Sequence, residues 1–62
     1  MKLLLTNKRT LETVRCDEHH AAKLMDLSVE DLCWALDEYR RCDAAPANSE
    51  NEYVAIEEEY EA

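Results

Sequence analysis

The stretch that decides the fold is residues 27–42, which read LSVEDLCWALDEYRRC. Ser28 is placed to accept a hydrogen bond from the backbone N–H of Asp31, as a helix N-cap does. From Val29 onward, apolar side chains recur at intervals of three and four residues, which is the spacing of one helix face. The members of this face are Val29, Leu32, Cys33, Leu36 and Tyr39. The pattern predicts a helix from Val29 to about Cys42.

A second, shorter helix is predicted just upstream, over about residues 18–26. Asp17 can cap its N-terminus. The side chains that can face the longer helix are Ala21, Ala22, Leu24 and Met25. The two helices would therefore form a tight helix-turn-helix corner, in which Asp26 replaces the usual turn glycine.

The segments on either side of the corner favour β-structure. Residues 2–6 and 10–16 flank a polar stretch, and the Thr and Val content of 10–14 is typical of a strand, so we predict an N-terminal hairpin. Residues 43–49, with Pro46, have the pattern of a linker. The segment that starts at Tyr53 is predicted to be a third strand, because an isolated hairpin is only marginally stable.

These elements predict one small α+β domain over residues 1–62, with an acidic C-terminal strand. An all-α alternative stays open. A helix could begin near Thr10, and Ser49 to Glu52 spells a capping box for a helical C-terminal segment that carries Tyr53, Ile56 and Tyr60.

Composition excludes several classes of function. The chain of 62 residues contains no glycine, and the Gly-rich phosphate loops of nucleotide enzymes need glycine for close approach of the backbone. No apolar run is long enough for a membrane span, and no leader pattern is present, so neither membrane insertion nor secretion is expected. Three cysteines form an odd set, which favours reduced thiols and a cytoplasmic location.

The charge is strongly negative and unevenly distributed. The net charge is -8, and residues 42–62 contain seven acidic residues and no basic one. Tyr53, Ile56 and Tyr60 are interleaved with these acids, a mixture that suggests a segment docked on the fold or on a partner. A solvated acidic tail is an equally open alternative.

Trp34 lies on the opposite side of the long helix from the apolar face, among Glu30, Asp37, Glu38 and Arg41. Two explanations are open. The C-terminal segment covers Trp34, which the usual burial of tryptophan favours, or Trp34 is an exposed anchor for a partner.

Catalytic, metal and direct nucleic-acid functions find little support. Cys16, His19, His20, Cys33 and Cys42 have poor spacing for a zinc site, and a chain this small can hardly form a catalytic cleft, so we expect no enzyme, cofactor or metal. Residues 22–32 resemble a DNA-binding helix-turn-helix, which would imply a small regulator using Lys8, Arg9 and Arg15. The acids of its second helix would repel duplex DNA, so direct nucleic-acid binding is not expected.

We therefore expect an acidic interaction module, an inhibitor that mimics DNA and occupies the basic nucleic-acid-binding surface of a partner protein. In size and charge, the chain resembles small phage-encoded proteins that act on the host, including DNA mimics and inhibitors of CRISPR or restriction systems. That resemblance implies a viral protein in the host cytoplasm. Self-association into a homodimer is also open. The partner-binding residues are predicted to be Glu30, Asp31, Trp34, Asp37, Glu38, Tyr53, Glu57, Glu58 and Glu59.

Overall fold

The structure, a computed structural model, describes residues 1–47 and 50–58 of the chain. In chain order the elements are β1 (Leu3–Asn7), β2 (Thr13–Cys16), α1 (Glu18–Met25), α2 (Val29–Tyr39), β3 (Cys42–Ala44) and β4 (Tyr53–Glu57). The strands form one antiparallel sheet in the order β2-β1-β4-β3. The prediction of an α+β fold is confirmed, and the all-α reading is not favoured.

The core lies between the two helices and one face of the sheet. Strand alternation points Leu3 and Leu5 of β1 into this layer, and β4 contributes Ala55 directly opposite Leu5. From the helices, the fully or almost fully buried side chains are Ala21, Ala22, Met25, Leu32 and Leu36. Removal of these apolar side chains from water is the main term that stabilises so small a fold.

The predicted hairpin is present and comprises β1 and β2. At its tip the Asn7 side-chain carbonyl accepts a hydrogen bond from the backbone N–H of Arg9 at 2.9 Å, and the Asn7 backbone carbonyl accepts one from Leu11 at 2.7 Å. Leu11 closes this turn with φ 66°, a left-handed conformation that is costly for a residue with a Cβ atom.

Strand β4 confirms the predicted third strand and its pairing with the hairpin. It lies between β1 and β3, with Leu5 and Cys42 on either side of Ala55. The chain thus inserts its last described strand into the middle of the sheet and leaves β2 and β3 as the edges.

The predicted C-terminal end of the long helix was wrong. Helix α2 ends at Tyr39, because Arg40 adopts a left-handed conformation with φ 62° and its N–H caps the Leu36 carbonyl. Cys42 is not helical; it begins β3 and is buried opposite Ala55. Strand β3 also includes Asp43 and Ala44, the first two residues of the segment expected to be a linker.

The helix corner forms as predicted at its caps. The Asp17 carboxylate accepts the N–H of His20 at 2.7 Å, and the Ser28 hydroxyl accepts the N–H of Asp31 at 3.1 Å. Asp26 takes the left-handed position that glycine usually occupies, with φ 56°, and the turn closes with the N–H of Leu27 on the Ala22 carbonyl at 2.9 Å.

Two residues assigned to the interior of the helix pair are exposed. Tyr39, at the end of the predicted apolar face, has 65% of its surface exposed because the helix ends there. Leu24, expected to face the longer helix, is 39% exposed on α1. The apolar face of α2 therefore buries Leu32 and Leu36 fully and Val29 and Cys33 only in part.

Candidate protein-interaction surface

The outer face of α2 has an unusual arrangement of side chains around Trp34. On a helix, the neighbours of any residue are those three and four positions away, with Cβ atoms about 5–6 Å apart. All four neighbours of Trp34 by this rule are carboxylates: Glu30, Asp31, Asp37 and Glu38. The geometry of an α-helix places these five side chains within about 120° of its circumference, with Trp34 near the middle. We call these five residues the Trp34 surface.

Trp34 itself faces solvent. Its exposed fraction is 59%, so the described part of the C-terminal segment does not cover it, contrary to the favoured of the two explanations. The described part of that segment lies in the sheet, across the core from the outer face of α2. One neighbour contacts the indole: the ring of Tyr39 lies with its centroid 5.6 Å away and its plane at 85°, an edge-to-face pair.

The helix layer is strongly acidic. Residues 17–39 hold seven acidic residues and one basic residue, Lys23, for a net charge of -6. Among the described residues, none of the four carboxylates of the Trp34 surface forms an ion pair. No described side chain therefore neutralises them by direct contact.

Two of these carboxylates occupy an unfavourable position on α2. Asp37 and Glu38 lie in the last turn, where the helix dipole is negative, and no basic residue is present in that turn. Glu30 and Asp31 lie in the first turn, where the same dipole favours them. The Trp34 surface thus combines acids that stabilise the helix with acids that weaken it.

On the outer face of the sheet, by contrast, two acidic side chains have basic partners. Arg15 Nε lies 3.0 Å from Glu58 Oε2 and forms an ion pair with it. The same oxygen is buried and accepts no hydrogen bond from the described residues. At the opposite edge of the sheet, in β3, Asp43 Oδ1 lies 2.9 Å from Arg41 and 3.5 Å from Lys8. The hydrogen bond from Arg41, together with the charges of Arg41 and Lys8, lowers the pKa of Asp43.

The basic residues that a DNA-binding regulator would use also lie on the hairpin side. Lys8 pairs with Asp43, Arg15 pairs with Glu58, and Arg9 donates from Nε to the Asn51 side chain at 3.0 Å. They are therefore separated from the second helix of the corner, whose outer face is acidic.

The structure places some of the predicted partner-binding residues on one surface and the others elsewhere. It brings together the five members of the Trp34 surface. Tyr53 is half-buried against the core, Glu57 is exposed in β4, and Glu58 is held by Arg15, all in the sheet layer. Glu59 lies outside the described residues. Sequence reasoning missed Tyr39, which was assigned to the core although it falls at the C-terminal limit of the apolar face.

Two of the three cysteines, Cys16 and Cys42, offer no activated thiol. Burial and the adjacent Asp17 carboxylate raise the pKa of Cys16, which lines a recess of about 340 Å³ with Met1, Lys2 and Arg15. Burial, with a smaller contribution from Asp43, raises the pKa of Cys42. A raised pKa keeps a thiol protonated and makes it a weak nucleophile.

The described part of the chain holds neither a cluster of metal ligands nor a membrane-spanning helix. No group of three or more His, Cys, Asp or Glu side chains within residues 1–47 and 50–58 is arranged to hold a metal ion. Neither described helix has the length and apolar character needed to cross a bilayer.

Comparisons with protein-family models, with curated protein sequences and with solved structures gave no significant match.

Proposed function

We propose that the chain is a non-enzymatic interaction module that inhibits a partner protein by occupying its basic nucleic-acid-binding surface. The observation that carries this proposal is the Trp34 surface: four carboxylates without an ion-pair partner among the described residues, arranged around an exposed aromatic side chain. Charge of this kind, fixed on a helix, presents a pattern that a cationic groove can recognise.

The helix supplies the order that a mimic of a phosphate backbone needs. Glu30 and Asp37 are seven residues apart and therefore about 10.5 Å apart along the helix axis, as are Asp31 and Glu38. A folded scaffold keeps these charges close together without further ordering on binding, which lowers the entropic cost of association. The negative field also accelerates encounter with a positively charged partner.

The same surface supplies an anchor as well as charge. Exposed aromatic side chains surrounded by polar groups are typical centres of protein interfaces, and tryptophan is the commonest of them. A nucleic acid is a poor partner for this surface, because its phosphates would meet four carboxylates. We propose a cytoplasmic location, supported by three free cysteines. The resemblance in size and charge to phage-encoded inhibitors of DNA-binding systems supports the same proposal.

The test is capture of a partner by the immobilised chain from a nuclease-treated bacterial lysate at about 0.05 M and about 0.3 M salt. We expect proteins that bind at low salt, elute at the higher salt, and are displaced by duplex DNA. Capture that is unchanged by salt, or that duplex DNA does not disturb, would contradict the proposal. A gel shift of random duplex DNA by the chain itself would instead favour a helix-turn-helix regulator.

Matched charge variants make the test specific to the surface. Asp37→Asn/Glu38→Gln removes two charges from the Trp34 surface, whereas Glu50→Gln/Glu52→Gln removes two charges from exposed positions before β4. We expect the first pair to reduce capture much more than the second. Equal losses would indicate that only total charge matters, and would remove the Trp34 surface from the proposal. Sedimentation of the same proteins would report any homodimer.

A further inference from the structure

We propose that the perpendicular pair of Trp34 and Tyr39 is a binding corner for an arginine side chain of the partner protein. This inference rests on the proposed function and names the chemistry of its contact. Both rings are largely exposed, at 59% for Trp34 and 65% for Tyr39, although they contact each other. An edge-to-face pair leaves ring surface open for a third group.

A cation is the occupant that the surroundings favour. Four carboxylates lie one helical turn from Trp34, and no described side chain neutralises them by an ion pair. An apolar occupant would have to desolvate these charges without compensation, which is unfavourable. A nucleobase could stack on the indole, but the phosphates attached to it would be repelled. Charge complementarity therefore selects a positively charged side chain.

Arginine fits this corner better than lysine does. The guanidinium group is planar and weakly hydrated, so it can stack on an indole face and still donate hydrogen bonds from its edge. Those edge donors can engage the carboxylate of Glu38 in a charge-assisted bond, because Glu38 lies between Trp34 and Tyr39 around the helix. Lysine presents a compact, strongly hydrated charge that has no planar surface to stack on a ring. Tryptophan is also the aromatic residue that attracts cations most strongly.

The experiment compares oligoarginine and oligolysine peptides of equal length, titrated into the whole chain at low salt. We expect the arginine peptide to bind about two- to fivefold more tightly, the range expected of an exposed cation–π contact. We also expect it to change the emission of Trp34, the single tryptophan of the chain. Calorimetry gives the affinities for variants that lack the fluorophore.

Two variants remove the rings separately, and a third is the control. Trp34→Leu and Tyr39→Leu should each reduce the preference for arginine while binding of both peptides remains salt-dependent. Leu24→Ala, which truncates an exposed side chain on the neighbouring helix, should leave the preference unchanged. Because all three positions are exposed, circular dichroism should show the same fold in each variant.

The outcomes separate the inference from the proposed function. Equal affinity for the two peptides, or a preference that survives Trp34→Leu, would overturn the arginine corner and leave the acidic module standing. If neither peptide bound in a salt-dependent manner, both would fail. Tighter binding of a single-stranded oligonucleotide than of the arginine peptide would assign the rings to base stacking and overturn the inference.

Discussion

On the outer face of the sheet, Arg15 lies 3.0 Å from Glu58, and Asp43 lies between Arg41 and Lys8 at 2.9 and 3.5 Å. On the outer face of α2, carboxylates of the same two residue types surround Trp34, and none has an ion-pair partner among the described residues. Glu58 and Asp43 on the sheet face have basic partners, whereas the four carboxylates on the helix face have none in the described part of the chain.

The comparison distinguishes charges that are paired within the fold from charges that weaken it. Paired charges on a surface add little stability, but they leave little field for a partner. Unpaired acids in the last turn of α2 oppose the helix dipole and repel one another. A chain of 62 residues is only marginally stable, so acids that weaken its helix need an explanation. Unlike the paired acids of the sheet, Asp37 and Glu38 form no contact that stabilises the described fold. Their position is understandable if binding requires them.

The largest effect is expected from breaking the core that supports both faces. Leu32 is completely buried beneath α2, and Leu32→Ala should destabilise the chain by about 3 kcal/mol through lost burial and the cavity left behind. Because a chain this small is marginally stable, much of it should unfold at room temperature. Urea titration followed by circular dichroism measures the change. Leu24→Ala, at an exposed position, should cost well under half as much; equal effects would mean that the helix layer is assigned wrongly.

A smaller effect is expected at the start of α2, which presents the Trp34 surface. Ser28→Ala removes the hydroxyl that accepts the N–H of Asp31 and should cost about 1 kcal/mol of stability. Ser28→Asp keeps an acceptor at the same position and adds a charge that the dipole favours, so it should restore the loss. If both variants melted alike, the cap would not hold the helix in the way the distance indicates.

The comparison of the two faces makes a prediction of opposite signs. Glu58→Gln weakens the pair with Arg15 and should lower stability by about 0.5 kcal/mol, since Arg15 is mostly exposed. Asp37→Asn/Glu38→Gln relieves the unfavourable dipole interaction and should raise stability by about 0.5 kcal/mol in total. Thermal melts of the two variants decide the point. Destabilisation in both cases would show that the helix-face acids do contribute to the fold.

The same double variant should lose binding as it gains stability. Loss of two exposed charges from an interface should weaken capture of a cationic peptide about fivefold at low salt. Improved stability with unchanged affinity would remove the functional explanation for these acids.

The sequence was sufficient where local chemistry marks the structure. Caps at Asp17 and Ser28 are visible as residue types before an apolar period, and both helix starts agree with the structure. The strand at Tyr53–Glu57 followed from the need of a hairpin for a third strand. The cluster of acids around Trp34 follows from helical spacing alone, so most of the candidate site could be predicted once α2 was recognised.

The sequence was insufficient where the residue type does not indicate that the chain turns. With no glycine present, the left-handed conformations within residues 1–47 and 50–58 fall on Leu11, Asp26 and Arg40, and residue type gave no signal for the one that ends α2. Strand β3 was missed for the same reason, because the helix was extended into Cys42. The exposure of Trp34 depends on which layer the C-terminal segment joins, and that is decided by long-range pairing with β1 and β3.

The smallest effect is expected in how stability changes as the pH falls. It tests whether the charges on the sheet face are paired in solution. The contacts with Arg41 and Lys8 lower the pKa of Asp43 in the folded chain. A carboxyl group with a lowered folded pKa contributes its stabilisation above the ordinary carboxyl range and loses it as the pH falls through the lowered pKa. Asp43 is about half exposed, so screening should limit this contribution to about 0.5 kcal/mol or less. Urea midpoints between about pH 7 and about pH 3 should therefore fall slightly less steeply in Asp43→Asn than in the unmodified chain. Glu52→Gln, at an exposed neighbouring position, is the matched control. If it flattened the pH profile of the urea midpoint as much as Asp43→Asn did, the prediction would fail. The pairing of Asp43 with Arg41 and Lys8 would then not be what distinguishes the sheet face from the helix face.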